Sequence, residues 1–259
     1  MDVETTLSER PRYAAAIADD LLRAANRLRH AFLQKPMRFA PPDEPIVRLT
    51  DSEPPVILIH SGFAFRCCVL GDGRRAILNI GMPGDFIGLD HLVLHQAAEE
   101  IIGAANRVGY YALPPSELWD LMMRDQAINR KVVTLLAEMR WRSDRLAASI
   151  GRLDARARIC VMVFDIYERL RRNGLNSGLT FNLPLTQEQI ADHLGLTLVH
   201  VNRTLRRLRE QHIVLIERQT VIILDLDRLR ECAEGLPHVA ELPGSRDPEP
   251  PLLVPPGPG

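Results

Sequence analysis

The chain has 259 residues and a formal net charge of −1, and it is 46% hydrophobic and 25% charged, which is typical of a globular protein with room for two modest domains, each with its own core. All but two of its 32 basic residues are arginine, and because the whole chain is not basic, a nucleic-acid surface would have to concentrate positive charge locally. No apolar run approaches the ~20 residues of a membrane span, and the acidic start "MDVETTLSERPR" is unlike a secretory signal. We therefore expect a cytoplasmic protein whose cysteines, none in CxxC spacing, are thiols rather than disulfides.

The first predicted element is a helix over residues 13–34. Apolar residues recur there at helical spacing from Ile17 to Phe32, and Pro36 ends the pattern. We interpret residues 1–36 as an N-terminal helical extension.

Residues 37–115 have the pattern of a β domain. Short apolar or alternating runs such as "PPVILIH", "FAFRCCVL" and "RRAILNI" are separated by turn-rich stretches, and Gly71-Asp72-Gly73 predicts a hairpin. Many short strands at this spacing predict an antiparallel β-roll, or jelly roll.

Helical periodicity returns over residues 116–153. Eight positions there lie alternately four and three residues apart and form a heptad seam that two polar residues, Arg142 and Ser149, interrupt. The positions are Ile128, Val132, Leu135, Met139, Arg142, Leu146, Ser149 and Leu153, and the first six are the predicted dimer contacts. Two interpretations fit this seam: a helix packed against its own β-roll, or the interface of a two-stranded coiled-coil dimer. The pattern alone does not choose between them.

Residues 154–234 mix helical and strand patterns. Asp154 is a candidate N-cap for a helix that stops at Gly174, "TFNLPL" predicts a short strand, and "IVLIERQTVIILD" predicts a β-hairpin. Residues 235–259 are rich in proline and have little to bury, so we predict a disordered tail.

The stretch "TQEQIADHLGLTLVHVNRTLRRLRE", residues 186–210, predicts a helix-turn-helix. Thr186 and Gln189 form a capping box at the start of a first helix, Gly195 permits a tight turn, and Thr197 can cap the second helix. The second helix has a buried stripe that consists of Val201, Leu205 and Leu208.

A second stripe on the same helix is largely polar and basic. It consists of Val199, Asn202, Arg203 and Arg206. An exposed stripe of this kind near a helix N-terminus can enter a major groove, where Arg203 could fork onto guanine O6 and N7 and Asn202 could bond a base edge or a phosphate. Arg207, Arg209 and Arg218 are better placed for phosphates, and the hairpin that follows would be the wing. The alternative is a helical hairpin with a solvated basic face.

Together these motifs resemble the Crp/Fnr superfamily of bacterial transcription regulators. The resemblance covers about residues 38–232 and rests on "PGDFIG" at 83–88, the long helix and "LPLTQEQIADHLGLTLVHVNRTLRRLRE". It implies an α+β fold with an N-terminal antiparallel β-roll of the cyclic-nucleotide-binding type at 37–115, a long dimerisation helix at 116–153 and a C-terminal winged helix-turn-helix at 154–234. It also favours the dimer interpretation of the heptad seam.

The resemblance extends to individual DNA-binding positions. Thr186, Gln187 and Thr197 match positions that commonly touch phosphates in this family, and Arg203 keeps an arginine of the recognition helix. Val199 stands where relatives often have Glu and offers only apolar contact, for instance to a thymine methyl, so we expect a different target sequence. The residues predicted to contact DNA are Thr186, Gln187, Thr197, Val199, His200, Asn202, Arg203, Arg206, Arg207 and Arg218.

The sensor end departs from the cyclic-nucleotide-binding members of the family. Those members follow "PGDFIG" with a Glu for the ribose and, further on, use an Arg-Ser or Arg-Thr pair for the phosphate. Here the corresponding positions hold Leu89, Glu99 and Glu100. A carboxylate at the phosphate position repels the ligand, so we predict no useful affinity for cyclic AMP. No cysteine precedes Cys67, which argues against a sensor built on an N-terminal iron–sulfur cluster.

Two residue pairs are candidate sensors. Cys67 and Cys68 are adjacent on a strand and point to opposite faces, so one is expected in the core, and a redox role for the other is the alternative. His91 and His95 lie four residues apart and could share a helix face that holds haem or a metal, although such a pair is more often simply solvated. We predict no cofactor and no metal site.

The sequence therefore predicts a homodimeric, sequence-specific DNA-binding transcription regulator that reads an inverted repeat without cyclic AMP, with RNA polymerase as a further partner and no membrane contact. The alternative is a sensor or protein-interaction module of the same fold that binds DNA weakly or not at all. An enzyme is disfavoured because the sequence has no nucleophile–base pair, phosphate loop or metal-ligand spacing, and no catalytic residue is assigned.

Overall fold

The structure is a computed structural model that describes residues 19–48, 51–94 and 101–234. The predicted tail at 235–259 and the first residues of the predicted N-terminal helix lie outside the described residues. No helix within the described ranges is both long and apolar enough to cross a bilayer. The elements are, in chain order, α1 (residues 19–33), β1 (Arg38–Ala40), β2 (Pro45–Val47), β3 (Val56–Ser61), β4 (Ala64–Val69), β5 (Arg75–Gly81), β6 (Phe86–Ile87), α2 (Leu89–Leu94), β7 (Ile101–Ala104), β8 (Val108–Leu113), α3 (Pro115–Arg124), α4 (Gln126–Arg152), α5 (Ala155–Arg172), β9 (Thr180–Asn182), α6 (Gln187–Leu194), α7 (Leu198–Glu210), β10 (Val214–Glu217), β11 (Thr220–Ile223) and α8 (Leu226–Ala233).

The N-terminal strands form the predicted antiparallel β-roll. Within the described ranges its two four-stranded sheets have the orders β1-β8-β3-β6 and β2-β7-β4-β5. The predicted hairpin joins β4 to β5, with Val69 opposite Arg75. Aliphatic side chains fill the space between the sheets, among them Val47, Ile57, Ile59, Ile87, Ile102 and Val108.

α1 is an integral part of the core. Leu28 and Phe32 are fully buried in a cluster, here called the roll-side cluster, that joins α1 to β3, α2, α3 and the start of α4. The Phe32 ring meets Phe86 edge-on, with centroids 5.2 Å apart, and Arg27 pairs with Asp125 at 2.8 Å. The N-terminal helix is therefore packed into the core of the roll and stabilises it.

The single helix predicted over 116–153 is instead two helices, α3 and α4. Asp125 between them is extended, with φ −128° and ψ 100°. Its carboxylate accepts hydrogen bonds from the backbone N–H groups of Ala127 and Ile128, at 2.9 and 3.2 Å. The prediction missed the break because a capping Asp interrupts the apolar periodicity at only one position.

The seam positions of α4 do not form one exposed face. Ile128 and Val132 are buried in the roll-side cluster, and Leu135 and Met139 pack partly against it. Leu146 packs against a different cluster, here called the winged-helix cluster, which is formed mainly by α5 to α8. The assignment of Ile128 and Val132 to an interface between chains is therefore wrong: these side chains are enclosed by their own β-roll, as in the first of the two interpretations of the seam.

The C-terminal part is a winged helix-turn-helix. In the described residues a three-stranded antiparallel sheet has the order β10-β11-β9, and α5 begins where predicted, with Asp154 accepting from the backbone N–H of Ala157 at 2.8 Å. Gly174, at φ 67°, follows the end of α5. The predicted α+β class, with a β-roll, a long helix and a winged helix-turn-helix, is confirmed.

The roll and the winged helix share a core. The winged-helix cluster contains Phe65, Ile77 and Met82 of the roll beside residues of α5 to α8. The expectation that each domain has its own core is therefore wrong in part, because one outer face of the roll is covered by the helix-turn-helix of the same chain.

Polar contacts hold this junction at two places. On α6, Asp192 pairs with Arg75 of β5 at 2.9 Å, and the ring Nδ1 of His193 lies 3.0 Å from the carbonyl oxygen of Ile77. Burial lowers the pKa of His193, so the neutral ring donates Nδ1–H to that carbonyl. α6, the first helix of the helix-turn-helix, is thereby fixed to the roll.

The second place is the turn of "PGDFIG". Asp85 forms an ion pair with Arg169 of α5, and the Nδ2 of Asn173 donates to the carbonyl of Pro83 at 3.1 Å. Arg169 also donates to the carbonyl of Ile80 at 3.1 Å. These contacts hold this turn of the roll directly against α5, the first helix of the winged domain.

Candidate nucleic-acid interface

Local hydrogen bonds build the helix-turn-helix as its sequence predicts. The backbone N–H of Thr186 donates to Gln189 Oε1 at 2.9 Å, and the backbone N–H of Gln189 donates to Thr186 Oγ1 at 3.1 Å, which completes the capping box of α6. Gly195 ends α6 in the left-handed conformation, with φ 62° and ψ 40°. Thr197 Oγ1 accepts from the backbone N–H of His200 at 3.3 Å and caps α7.

The inner face of α7 is fixed by apolar packing. Val201, Leu205 and Leu208 are buried in the winged-helix cluster. Because these positions recur at helical spacing, the rotation of α7 about its axis is set. The residues of the predicted basic stripe consequently point away from the protein.

The outer face of α7 carries that stripe. Val199 is 72% exposed, and Asn202, Arg203 and Arg206 are exposed beside it. The seven-residue step from Val199 to Arg206 is ~10 Å along the axis, close to the rise of three base pairs. Asn202 donates from Nδ2 to the carbonyl of Leu198 at 3.1 Å, which holds its side chain along the helix.

The arginines of α7 differ in their partners. Arg206 lies 3.7 Å from Glu210, and Arg209 lies 3.2 Å from Glu217 of the wing. Within the described part of the chain, Arg203 makes no side-chain hydrogen bond or ion pair. Exposed ion pairs contribute little to stability, so a phosphate can replace Glu210 or Glu217 at small cost, whereas the guanidinium of Arg203 needs no release.

The wing presents a charged turn. Arg218 and Gln219, the two residues between β10 and β11, both have positive φ, 49° and 64°, as a type I′ turn requires. Neither residue is the Asn or Gly that such turns favour, so the backbone is strained at the tip that carries Arg218. An open cleft of about 620 Å³ separates α7 from β10, with Arg206 and Arg209 in its wall.

All ten residues predicted to contact DNA are exposed. Gln187, Val199, Asn202, Arg203 and Arg206 line the cleft. His200 and Arg207 lie on one flank of α7, roughly 80° to 100° round the axis from Val199. The structure thus brings five of the ten together around one concave surface and distributes the others along its edges.

The sensor end has an apolar interior. Leu89 is fully buried in the roll-side cluster. A Cβ built on Gly81 would lie 2.6 Å from Ile87 Cδ1 and 2.8 Å from Ile59 Cδ1. The isoleucine side chains therefore already fill the space beside Gly81. Glu99 and Glu100 lie outside the described residues.

The two pairs of candidate sensor residues have different outcomes. Cys67 is buried and Cys68 is half-buried, so one of the adjacent cysteines is in the core as predicted. His91 is buried on α2, whereas His95 lies outside the described residues.

Comparison with known proteins agrees with this geometry. A family model described as a Crp-like helix-turn-helix domain matches residues 144–232. The transcriptional activator protein FnrL of Cereibacter sphaeroides is 26% identical over 180 residues, which cover 68% of this chain and 71% of FnrL. The nitrogen fixation regulation protein FixK of Bradyrhizobium diazoefficiens is 28% identical over 166 residues, which cover 64% of this chain and 68% of FixK.

Solved structures have the same fold. FixK2 from Bradyrhizobium japonicum superposes with a TM-score of 0.66 at 23% identity, covering 78% of this chain and 98% of FixK2. A transcriptional regulator of the CRP family from Thermus thermophilus gives a TM-score of 0.61 at 22% identity, covering 76% of this chain and 96% of that regulator. The relatives named here are transcription regulators and not enzymes. Residues 144–232 thus match a Crp-like helix-turn-helix domain, and with its β-roll and long helix the chain is similar to the DNA-binding transcription regulators of the Crp/Fnr superfamily.

Proposed function

We propose that this protein is a homodimer that reads an inverted-repeat DNA site through α7, without cyclic AMP. The observation that carries the proposal is the exposed stripe of α7. It combines an apolar Val199 with an Arg203 that makes no side-chain hydrogen bond or ion pair within the described residues. Such a surface offers specific contacts to base edges without first breaking contacts of its own.

Base reading falls to the centre of the stripe. Arg203 donates two hydrogen bonds to guanine, at O6 and N7, which is the commonest specific contact in a major groove. Val199 packs against a thymine methyl, and Asn202 bonds an adjacent base edge or phosphate. These contacts define a half-site of about three base pairs, in keeping with the ~10 Å length of the stripe.

Phosphate contacts surround this centre and fix its register. The exposed N-termini of α6 and α7 suit phosphates because their backbone N–H groups and helix dipoles attract anions. Arg218 contacts the DNA backbone from the wing, and the cleft between α7 and β10 accommodates that DNA strand. The phosphate-contacting set is Thr186, Gln187, Thr197, His200, Arg206, Arg207 and Arg218.

The dimer uses the outward face of α4 in place of the buried Ile128 and Val132. Val133 is 56% exposed, and Ile150, at the other end of the helix, is exposed as well. Ala137 and Ala147 are exposed between them and let a second helix approach closely. Val133→Glu is expected to shift the sedimentation of the chain from dimer to monomer at micromolar concentration, and an unchanged dimer would contradict this face.

Independence from cyclic AMP is supported by the interior of the roll. Leu89 offers no hydrogen bond to a ribose, and aliphatic contacts fill the space beside Gly81. Isothermal titration with cyclic AMP is expected to give no saturable heat. Binding with a micromolar Kd would contradict this part of the proposal.

The proposal is tested by Arg203→Ala on a duplex enriched from a random pool. Loss of one bidentate arginine contact costs about 1–3 kcal/mol per half-site, so the dimer is expected to lose about 2–6 kcal/mol, or roughly thirtyfold or more in affinity, measured by fluorescence anisotropy. Arg124→Ala, at an exposed arginine on α3, is the matched control and should bind like the parent. Equal binding by both variants would reject Arg203 as a reader of bases, and failure to enrich any duplex would favour the interaction module.

A further inference from the structure

A cavity of about 70 Å³ lies where β5 of the roll meets α4, α5 and α6. Among the described residues its wall includes four arginines and a single carboxylate. These residues are Arg142, Arg145, Arg158, Arg169 and Asp165. Arg142 was predicted at a dimer seam; its side chain is 20% exposed and lines this cavity inside its own chain.

The positive charge in this wall exceeds the negative charge. Arg169 is neutralised by Asp85 and by Asp165 at 3.4 Å. Within the described residues, Arg158 donates only to backbone carbonyls, those of Leu153 at 2.9 Å and Leu194 at 3.0 Å. Among the same residues, the carboxylate nearest to Arg142 is Glu138, one turn away on the same helix and 3.9 Å distant. Charges removed from water in this way need a counter-charge nearby.

Three buried polar atoms in the wall have no hydrogen-bond partner in the part of the chain that the structure describes. They are Ser149 Oγ, Arg142 Nε and Arg169 Nε. Ser149 is 1% exposed, so bulk water does not satisfy its hydroxyl. Because buried donors are ordinarily bonded, these atoms are available to hydrogen-bond a ligand in the cavity.

The electrostatics favour an anion as the occupant. Burial and the neighbouring Arg169 lower the pKa of Arg142, and the carboxylates of Asp85, Asp165 and Glu138 offset this only in part. His193, which also lines the cavity, is neutral and adds no charge of its own. A bound anion would relieve the unfavourable environment of Arg142.

The size of the cavity limits what can bind. About 70 Å³ holds several water-sized spheres but is far below the ~300–1,000 Å³ of pockets for larger organic ligands. We propose that this cavity binds a small oxyanion, such as phosphate, sulfate or nitrate, held by the guanidinium groups of Arg142 and Arg169 and by the hydroxyl of Ser149. The ligand would touch both α4 and α5 and so join the long helix to the winged domain.

The test is calorimetric titration of the full chain, without DNA, with sodium phosphate, sulfate and nitrate in a chloride buffer. At least one of the three is expected to bind once per chain with a Kd at or below about 1 mM and to raise the melting temperature. Because no DNA is present, the result is independent of the proposed DNA reading.

Two variants locate the site. Ser149→Ala and Arg142→Met are each expected to weaken anion binding by about tenfold or more, because charge-assisted hydrogen bonds are lost. Without anion, Ser149→Ala should melt no lower than the parent, since the hydroxyl it removes has no partner, which separates loss of binding from loss of folding. Arg124→Met, at an exposed arginine, is the control and should bind normally. The proposal is overturned if none of the three anions binds saturably, or if Ser149→Ala and Arg142→Met bind like the parent.

Discussion

The ion pair between Asp85 and Arg169 is the contact whose removal should most weaken the junction of roll and winged helix. The Arg169 side chain is 7% exposed and the Asp85 side chain 19%. Asp85 also accepts from the backbone N–H of Met82 at 2.9 Å, and Arg169 keeps a second carboxylate, Asp165, at 3.4 Å. Asp85→Asn, Arg169→Met and the double variant separate the two sides of this pair.

The expected magnitudes follow from what each variant leaves behind. Removing one member of a buried ion pair costs about 3–5 kcal/mol, because the other charge remains buried without its partner. Asp85→Asn should lower the free energy of unfolding by about 3 kcal/mol, because Asp165 still compensates Arg169. Arg169→Met should lower it by about 2 kcal/mol, because the more exposed Asp85 keeps some contact with water. The double variant removes both charges, so its loss of unfolding free energy should be about 2 kcal/mol smaller than the sum of the two single losses.

The assay is urea unfolding at one fixed protein concentration, because the proposed dimerisation would make apparent stability depend on concentration. Arg171→Met removes an exposed arginine from the same helix, paired with Glu168 at 3.1 Å, and should change the free energy of unfolding by less than about 0.5 kcal/mol. Additivity of the two single variants within about 0.5 kcal/mol would refute the reasoning, since it would mean that the two charges are not coupled.

Three other predictions concern α7, α6 and the cysteine of α8. Val201→Ala, at a fully buried position, should lower the free energy of unfolding by about 2 kcal/mol. Val199→Ala, on the exposed face, should leave it unchanged. Equal effects of the two variants in urea unfolding would contradict the orientation of α7. Because burial lowers the pKa of His193 in the folded chain, protons bind the unfolded chain first, so stability should fall as the pH drops below ~6.5, by at most about 1.4 kcal/mol per pH unit for this group. His193→Asn, which keeps a donor for the Ile77 carbonyl, should flatten that dependence in unfolding curves from pH 8 to 5, and parallel curves would count against it. The neighbouring Cys160 thiol lowers the pKa of Cys232 to about 7, so iodoacetamide should modify Cys232 with a midpoint near that pH. Cys160→Ala should move the midpoint up towards about 8.5, and mass spectrometry showing no shift would refute this influence of Cys160.

Local features of the helix-turn-helix could be predicted because their causes lie within a few residues. The capping box joins Thr186 to Gln189, three positions apart, and the left-handed Gly195 needs only the absence of a side chain. The rotation of α7 followed from the period of its apolar residues. The β-roll was predictable for a similar reason, since short apolar runs between turns specify strands.

Other features depend on contacts between distant residues, which a single sequence does not reveal. Asp85 and Arg169 are 84 positions apart, and nothing in either segment indicates the pairing. The apolar seam of α4 was visible, but the surface that covers it was not, because the same heptad period serves a helix packed on its own roll and a coiled coil. The cavity at β5, α4, α5 and α6 was missed for the same reason: Arg142 and Ser149 interrupt the apolar seam in the sequence, but nothing there shows that α5 and β5 enclose them.

The measurement that tests the account most directly is selection from a pool of random duplex DNA by the purified chain, without added ligand, at about 150 mM salt, where non-specific phosphate contacts are weakened. We expect enrichment of an inverted repeat whose half-sites lie about one turn, ~34 Å, apart. We also expect Arg203→Ala to lose the preference for a guanine in each half-site. Failure to enrich any sequence, or enrichment of a site whose preferences Arg203→Ala leaves intact, would contradict the claim that α7 of a ligand-independent dimer reads DNA.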